Sequence, residues 1–183
     1  MNLHADSVAV LTAWQAPDSQ QEALRQAFLA FLASSPDACR REYAPGHITA
    51  SALVLDASRR RTLLTLHPRV GRWLQLGGHC EATDAGLREA ALREAEEESG
   101  MTGLRIDPQP LHLDAHPVTC SGGVPTRHLD VRYLVHAPAD AQPLRSAESL
   151  DLQWWPVDGL PSDVDSIPHM IKLALGTGHS HEP

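Results

Sequence analysis

The feature that most constrains the fold of this chain is a short strand, a double glycine and a long acidic helix, which follow one another in the middle of the sequence. The segment from Arg72 to Leu76 has the character of a strand, and Gly77 and Gly78 are expected to break it. The stretch 85–99 is rich in Ala, Leu, Arg and Glu, which favour helices. This order predicts a fold of the α/β class.

The flanking segments extend this pattern. Apolar residues at helical spacing predict a helix that starts near Asp18 and Ser19 and ends before Pro36. A hairpin of two strands is expected next, with further strands and a last helix beyond the acidic helix: strands at 48–55, 62–66, 104–106, 111–113, 129–136 and 152–155, and a helix at 164–175. Hairpin and crossover connections together predict a mixed sheet that is covered on both faces.

The chain is predicted to consist of three parts. We expect an N-terminal helical extension over residues 1–44, one α/β domain over 45–176, and a flexible tail over 177–183. Three roles for the extension stay open at this point. It could mediate a homodimer, cover an active site, or pack on its own domain.

Composition excludes several classes of function. Asp and Glu outnumber Lys and Arg by 23 to 15, so the chain has no net positive charge to attract a nucleic-acid polymer. Its 3 cysteines show no CxxC spacing, which argues against a disulfide scaffold and fits a reducing compartment. The sequence shows neither a signal-peptide pattern nor a long apolar run. We therefore expect a cytoplasmic protein that does not associate with membranes.

The acidic helix carries the strongest candidate site. Glu94, Glu97 and Glu98 are spaced i, i+3 and i+4, so they share one helix face. Apolar residues precede them on that face, which indicates that the carboxylates point toward protein. Clustered carboxylates are costly without a compensating cation, and Mg²⁺ prefers hard oxygen ligands. An isolated acidic run is more often a solvated surface, so the residues around the run must decide between a metal site and a solvated surface.

The stretch from Gly78 to Met101 resembles the Nudix box. It contains a glycine, five residues and an acid, Asp84, followed later by the pattern Arg-Glu-apolar-x-Glu-Glu-x-Gly-apolar, which begins at Arg93. The second half matches at every defined position if Ala95 counts as apolar. The first half departs in having Asp84 instead of Glu and one extra residue before Arg93.

The resemblance implies a Nudix α/β/α sandwich and the activity of a pyrophosphohydrolase. The expected substrate is a small molecule in which a nucleoside diphosphate is linked to another moiety, and the expected cofactor is Mg²⁺ or Mn²⁺. Three glutamates and one backbone carbonyl are the implied metal ligands: Glu94, Glu97, Glu98 and Gly77. Glu94 is alternatively the base that activates water, and Arg93 is expected to hold the glutamates by ion pairing. Glu148 is an additional candidate base, although a loop carboxylate is often simply solvated.

The histidines suggest a second metal site. The chain has 11 of them, and His47, His79 and His128, with Asp130 on the same side of a strand as His128, could hold a transition metal. This layout resembles that of isopentenyl-diphosphate isomerase, which shares the fold. An isomerase-like activity is therefore one alternative to hydrolysis. A non-catalytic nucleotide-binding Nudix module, whose N-terminal helices would contact a partner, is a separate alternative. Cys80 and Cys120 have no activating partner nearby in sequence, so each is expected to be a small buried hydrophobe.

Overall fold

The computed structural model describes residues 2–120, 123–147 and 149–176. Glu148 and the tail 177–183 lie outside the described residues. The elements are helices α1 (Leu3–Ala13), α2 (Ser19–Ser34), α3 (Leu87–Ser99) and α4 (Ile167–Gly176), and strands β1 (His47–Leu55), β2 (Arg61–Leu66), β3 (Trp73–Leu74), β4 (Leu76–His79), β5 (Arg105–Thr119), β6 (Pro125–His136) and β7 (Asp151–Pro156). Among them, no helix is long and apolar enough to cross a membrane.

Strand β1 is the centre of the sheet. The strand order is β3-β2-β1-β6-β5, with β4 paired to β1 and β7 paired to β2. β1 runs parallel to β6 and antiparallel to β2 and β4, so the predicted mixed sheet is confirmed. Every residue of β1 is buried, as expected for a strand with neighbours on both edges and helices on both faces.

Alternate residues of β1 contact different layers. Ile48 and Ala50 pack in one core cluster with apolar residues of α1, α2 and α3. Leu53 and Leu55 pack on the opposite face in a cluster with residues of α4. The helices therefore cover both faces of the sheet, which is the predicted α/β/α arrangement.

The N-terminal helices are part of this core. Helix α2 begins where the sequence predicted, and Asp18 caps it by accepting a hydrogen bond from the Gln21 N–H at 2.8 Å. Leu11 of α1 and Phe28 of α2 are 0% and 1% exposed. The Gln21 side chain also bonds both backbone groups of Leu113 in β5, at 3.0 and 2.6 Å. The apolar sides of α1 and α2 are therefore covered by the chain's own domain.

Helix α1 also completes the N-terminus of α3. The N-cap residue of α3, Gly86, has no side chain to accept a hydrogen bond from the first turn. The carboxylate of Asp6 accepts one instead, from the Leu87 N–H at 2.8 Å. A carboxylate at this end of a helix satisfies a free N–H group and interacts favourably with the helix dipole.

Two local predictions were wrong. Gly77 and Gly78 do not break a strand, because they lie inside β4 and pair with Ser51 and Ala50 of β1. The two short strands expected at 104–106 and 111–113 are one continuous strand, β5, despite Pro108 and Pro110. β5 lies at the edge of the sheet, where a residue without an N–H group is tolerated, and the register shifts around Pro110.

Candidate active site and histidine cluster

The three glutamates of α3 differ in exposure. The Glu94 side chain is 15% exposed, whereas that of Glu97 is 60% exposed. Glu98 is half-buried and accepts a hydrogen bond from the Gly77 N–H at 3.2 Å. Glu94 and Glu98 thus point toward protein, as their helical spacing predicted. Glu97 faces solvent instead.

Arg93 joins these glutamates to the loop before the helix. Its guanidinium donates to both carboxylate oxygens of Asp84 at 2.9 and 3.0 Å. Its Nη1 donates to Glu94 and to Glu97, each at 3.0 Å. Its Nη2 also donates to the backbone carbonyl of His79 at 3.1 Å. One guanidinium therefore fixes the acidic helix to the end of β4 and to the loop between them.

The Asp84–Arg93 pair is strongly ionic. Burial acts to raise the pKa of Asp84, but the hydrogen bonds from Arg93 and the Glu81 N–H, together with the Arg93 charge, outweigh it and hold the pKa below its usual value. The pKa of Arg93 is raised well above its usual value, first by the hydrogen bonds to Asp84. The Asp84 side chain is 5% exposed. Asp84 is therefore in direct contact with Arg93, the arginine of the box, despite the extra residue between them.

The double glycine leaves the space that the acidic helix occupies. A Cβ at Gly78 would lie 2.8 to 2.9 Å from the Glu94 carboxylate. A Cβ at Gly77 would lie 2.4 to 2.6 Å from atoms of Ser51, and Gly77 has φ +147°, which L side chains rarely adopt. The absence of side chains at these positions lets β4, β1 and Glu94 approach one another closely.

Three histidines of the predicted second metal site lie close together on the face of β4 opposite to Glu94. The rings of His47, His79 and His128 lie with their centroids 5.0 Å apart in each pair. The Sγ of Cys120 lies 4.0, 3.8 and 3.6 Å from their Nε2 atoms, in the same order. We call these four residues the histidine cluster.

The rings of this cluster are poorly solvated. Burial lowers the pKa of His47, and it lowers the pKa of His79 to about 4. Burial, together with the neighbouring imidazoles, lowers the pKa of His128 to about 3. All three rings are therefore neutral at pH 7, which is the protonation state of a metal-binding imidazole.

Asp130 lies in a different environment from the one expected for it. Its carboxylate accepts hydrogen bonds from Thr49 at 2.9 Å, from Ser51 at 2.7 and 2.8 Å, and from Arg132 at 2.7 Å. Burial acts to raise the pKa of Asp130, but the Arg132 charge and the hydrogen bonds outweigh it and hold the pKa below its usual value. Asp130 shares the strand face of His128, yet it is engaged by a buried ion pair.

Sequence reasoning missed Cys120 and the partner of Asp84. Cys120 is half-buried and follows β5, so only the folded sheet brings it to His47, which is 73 residues away. No local spacing signals such a contact. The sequence did not indicate that Asp84 contacts Arg93, because the distance between them depends on how the segment between them accommodates the extra residue.

Comparison with known families assigns the chain to a class. The NUDIX domain matches residues 45–173, which is more than half of the chain. The chain belongs to the Nudix family. The enzyme class predicted from its box, a Nudix pyrophosphohydrolase, is thereby confirmed. No curated protein sequence matches it significantly.

Solved structures share the fold at low sequence identity. An Ap4A hydrolase from C. elegans is 16% identical, with a TM-score of 0.54, and the match covers 71% of this chain and 96% of that one. A MutT protein from Methanosarcina mazei Go1 is 18% identical, with a TM-score of 0.55 and coverage of 74% and 98%. A UDP-X diphosphatase is 16% identical, with a TM-score of 0.52 and coverage of 95% and 91%.

Proposed function

We propose that the chain hydrolyses the diphosphate linkage of a small molecule in which a nucleoside diphosphate is joined to another group, using Mg²⁺ or Mn²⁺. The observation that carries this proposal is the convergence of α3 and β4. Arg93 contacts Asp84, Glu94 and Glu97, while Glu98 turns toward Gly77. This is an oxygen-rich site between the acidic helix and the double glycine.

The donor set fits a hard divalent cation. Three glutamate carboxylates offer only oxygen atoms, which Mg²⁺ and Mn²⁺ prefer over nitrogen or sulfur. The missing side chain at Gly78 leaves room for the Glu94 carboxylate beside β4. We assign Glu97, Glu98 and the Gly77 carbonyl as ligands, because they stand where the family motif has them.

The residues of the site have separable tasks in this reaction. A bound divalent cation neutralises the diphosphate and lowers the pKa of a water molecule that attacks phosphorus. Glu97 and Glu98 hold the cation, and Arg93 holds Glu94 and Glu97 in position. Glu94 either completes the ligand set or accepts the proton of the attacking water. These two roles predict different behaviour of Glu94→Gln, which loses metal affinity in the first case and keeps it in the second.

The test is a substrate panel with two variants. Nucleoside diphosphates linked to sugars, ADP-ribose, dinucleoside polyphosphates and nucleoside triphosphates would be assayed with Mg²⁺ and Mn²⁺ for release of phosphate or nucleoside monophosphate. UDP-linked compounds come first, since the UDP-X diphosphatase matches 95% of this chain, including the N-terminal helices. Glu97→Gln and Glu98→Gln should each reduce turnover at least about 100-fold.

The matched control is Glu96→Gln, on the same helix but outside the proposed ligand set. It should keep turnover within about threefold of the wild type, and circular dichroism should show all variants folded. Full activity of both Glu97→Gln and Glu98→Gln would contradict the proposal. Nucleotide binding without turnover on any compound would instead favour the non-catalytic module. Isomerisation of an isopentenyl diphosphate would favour the isomerase alternative.

A further inference from the structure

The histidine cluster has the geometry of a coordination site. The four atoms that could bind a metal, one from each residue, all lie within 4.8 Å of one another. In a tetrahedral zinc site with Zn–N and Zn–S bonds of about 2.0 and 2.3 Å, the edges of the tetrahedron are about 3.3 to 3.6 Å. The distances of 3.6 to 4.0 Å from the Cys120 Sγ to the three Nε2 atoms are close to this value. The three edges that join Sγ to the Nε2 atoms would need to shorten by about half an ångström or less to match it.

Four separate elements build the cluster. His47 opens β1 and pairs directly with His128 of the parallel strand β6, so their side chains lie on one face of the sheet. His79 ends β4, which pairs with β1 on its other edge. Cys120 directly follows the last residue of β5. Neighbouring strands therefore deliver three imidazoles and a thiol to one point.

We propose that His47, His79, His128 and Cys120 hold one zinc ion in a closed tetrahedral site. Three imidazoles and a thiolate suit zinc and are poor ligands for Mg²⁺ or Ca²⁺. Four protein ligands leave no position for a water molecule or a substrate, which is the pattern of structural zinc and not of catalytic zinc. Asp130 is not a ligand, because its carboxylate is held by Arg132 and two hydroxyl groups.

The location of the ion gives it a structural task. It ties the end of β5 and the start of β1 to His79, the last residue of β4. The carbonyl of His79 accepts a hydrogen bond from Arg93, which also contacts Asp84, Glu94 and Glu97. The zinc thus fixes the strand end against which the acidic helix is oriented, without entering the reaction.

The first test needs no variant. The untagged protein, purified without added metal, should contain about one zinc ion per chain by elemental analysis. After exchange with Co²⁺, it should show the strong visible bands of tetrahedral cobalt and a near-ultraviolet thiolate-to-cobalt charge-transfer band. Absence of zinc or another transition metal, together with absence of the charge-transfer band, would overturn the proposal.

Variants identify the ligands. Cys120→Ala should abolish the charge-transfer band and weaken zinc binding by more than the 10–100-fold typical of outer-shell changes. The matched control is Cys39→Ala, which removes a buried cysteine that contacts Ser7 and lies outside the cluster; it should keep the band. Loss of the band in Cys39→Ala, or its retention in Cys120→Ala, would contradict the assignment. Glu97→Gln should lose turnover yet keep zinc, which separates this test from that of the hydrolase.

Discussion

The contact between Asp6 and the N-terminus of α3 predicts a measurable stability effect. Asp6→Ala removes the carboxylate that accepts the Leu87 N–H at 2.8 Å. Loss of a helix cap costs about 0.5 to 2 kcal/mol, and loss of the favourable interaction with the helix dipole costs about 0.3 to 1 kcal/mol. The two effects come from the same carboxylate and overlap, so the ranges are not simply summed. We therefore expect the free energy of unfolding to fall by about 1 to 2 kcal/mol. In a chain of this length the Tm should fall by about 2 to 8 °C.

A double-mutant cycle tests the proposed cause. A Cβ at Gly86 would lie 2.4 Å from the Asp6 carboxylate, so Gly86→Ala should displace Asp6 and remove the same hydrogen bond. Gly86 has φ −176°, which alanine adopts without strain. In the Asp6→Ala background, Gly86→Ala should change the free energy of unfolding by less than about 1 kcal/mol, because the poorer N-cap preference of alanine opposes the gain from a more restricted unfolded chain. The expected coupling between the two positions is about 1 kcal/mol or more.

The assay is urea unfolding followed by circular dichroism, with Tm measured in parallel. The matched control is Asp37→Ala, which removes an exposed carboxylate 3.4 Å from Arg40 and should cost less than about 0.5 kcal/mol. The reasoning is refuted if Asp6→Ala and Asp37→Ala have equal effects. It is also refuted if the Asp6 and Gly86 effects add within about 0.3 kcal/mol.

Two further predictions concern the site and the pH dependence of stability. Gly78→Ala places a methyl group within 2.9 Å of the Glu94 carboxylate, so turnover should fall about 10- to 100-fold with a Tm close to that of the wild type; unchanged turnover would contradict the close approach. Burial lowers the pKa of His112 to about 4, so the folded protein keeps this ring neutral while the unfolded chain protonates it near pH 6.5. His112 therefore leaves the free energy of unfolding unchanged above pH 6.5. As pH falls from 6.5 toward 4, it lowers that free energy by up to about 1.4 kcal/mol per pH unit. Urea unfolding from pH 7 to 4.5 should give a shallower decline for His112→Gln than for the wild type, and parallel curves would contradict this.

The sequence predicted those parts of the fold that local chemistry determines. Helix α2 begins after Asp18, and α3 ends at Ser99 before Gly100 in the left-handed conformation, because caps and helix formers act over a few residues. The hairpin of β1 and β2 followed from two apolar runs and a polar turn. The glutamate face of α3 was predictable for the same reason, since helical spacing alone places Glu94 and Glu98 together.

The rest depends on contacts between distant segments. Gly77 was expected to end a strand, since glycine usually interrupts one, but close packing against Ser51 requires a residue without a side chain there. Pro110 suggested a break that an edge strand does not need. Cys120 follows β5 and contacts His128 of the adjacent strand β6, but it meets His47 and His79 only because β6 and β4 both pair with β1. Such outcomes follow from the assembled sheet, and no short window of sequence contains them.

The departure of this chain from the Nudix box and its N-terminal extension are physically connected. The extra residue falls between Asp84 and Arg93, and α3 starts only at Leu87, after a glycine that offers no capping side chain. Asp84 contacts Arg93 despite the extra residue, and Asp6 of α1 provides the missing cap. Removal of α1 should therefore weaken the start of the helix that carries the glutamates. We therefore expect removal of α1 to lower turnover at the proposed site through the stability of α3, since Asp6 bonds to the first turn of that helix and the glutamates lie toward its other end.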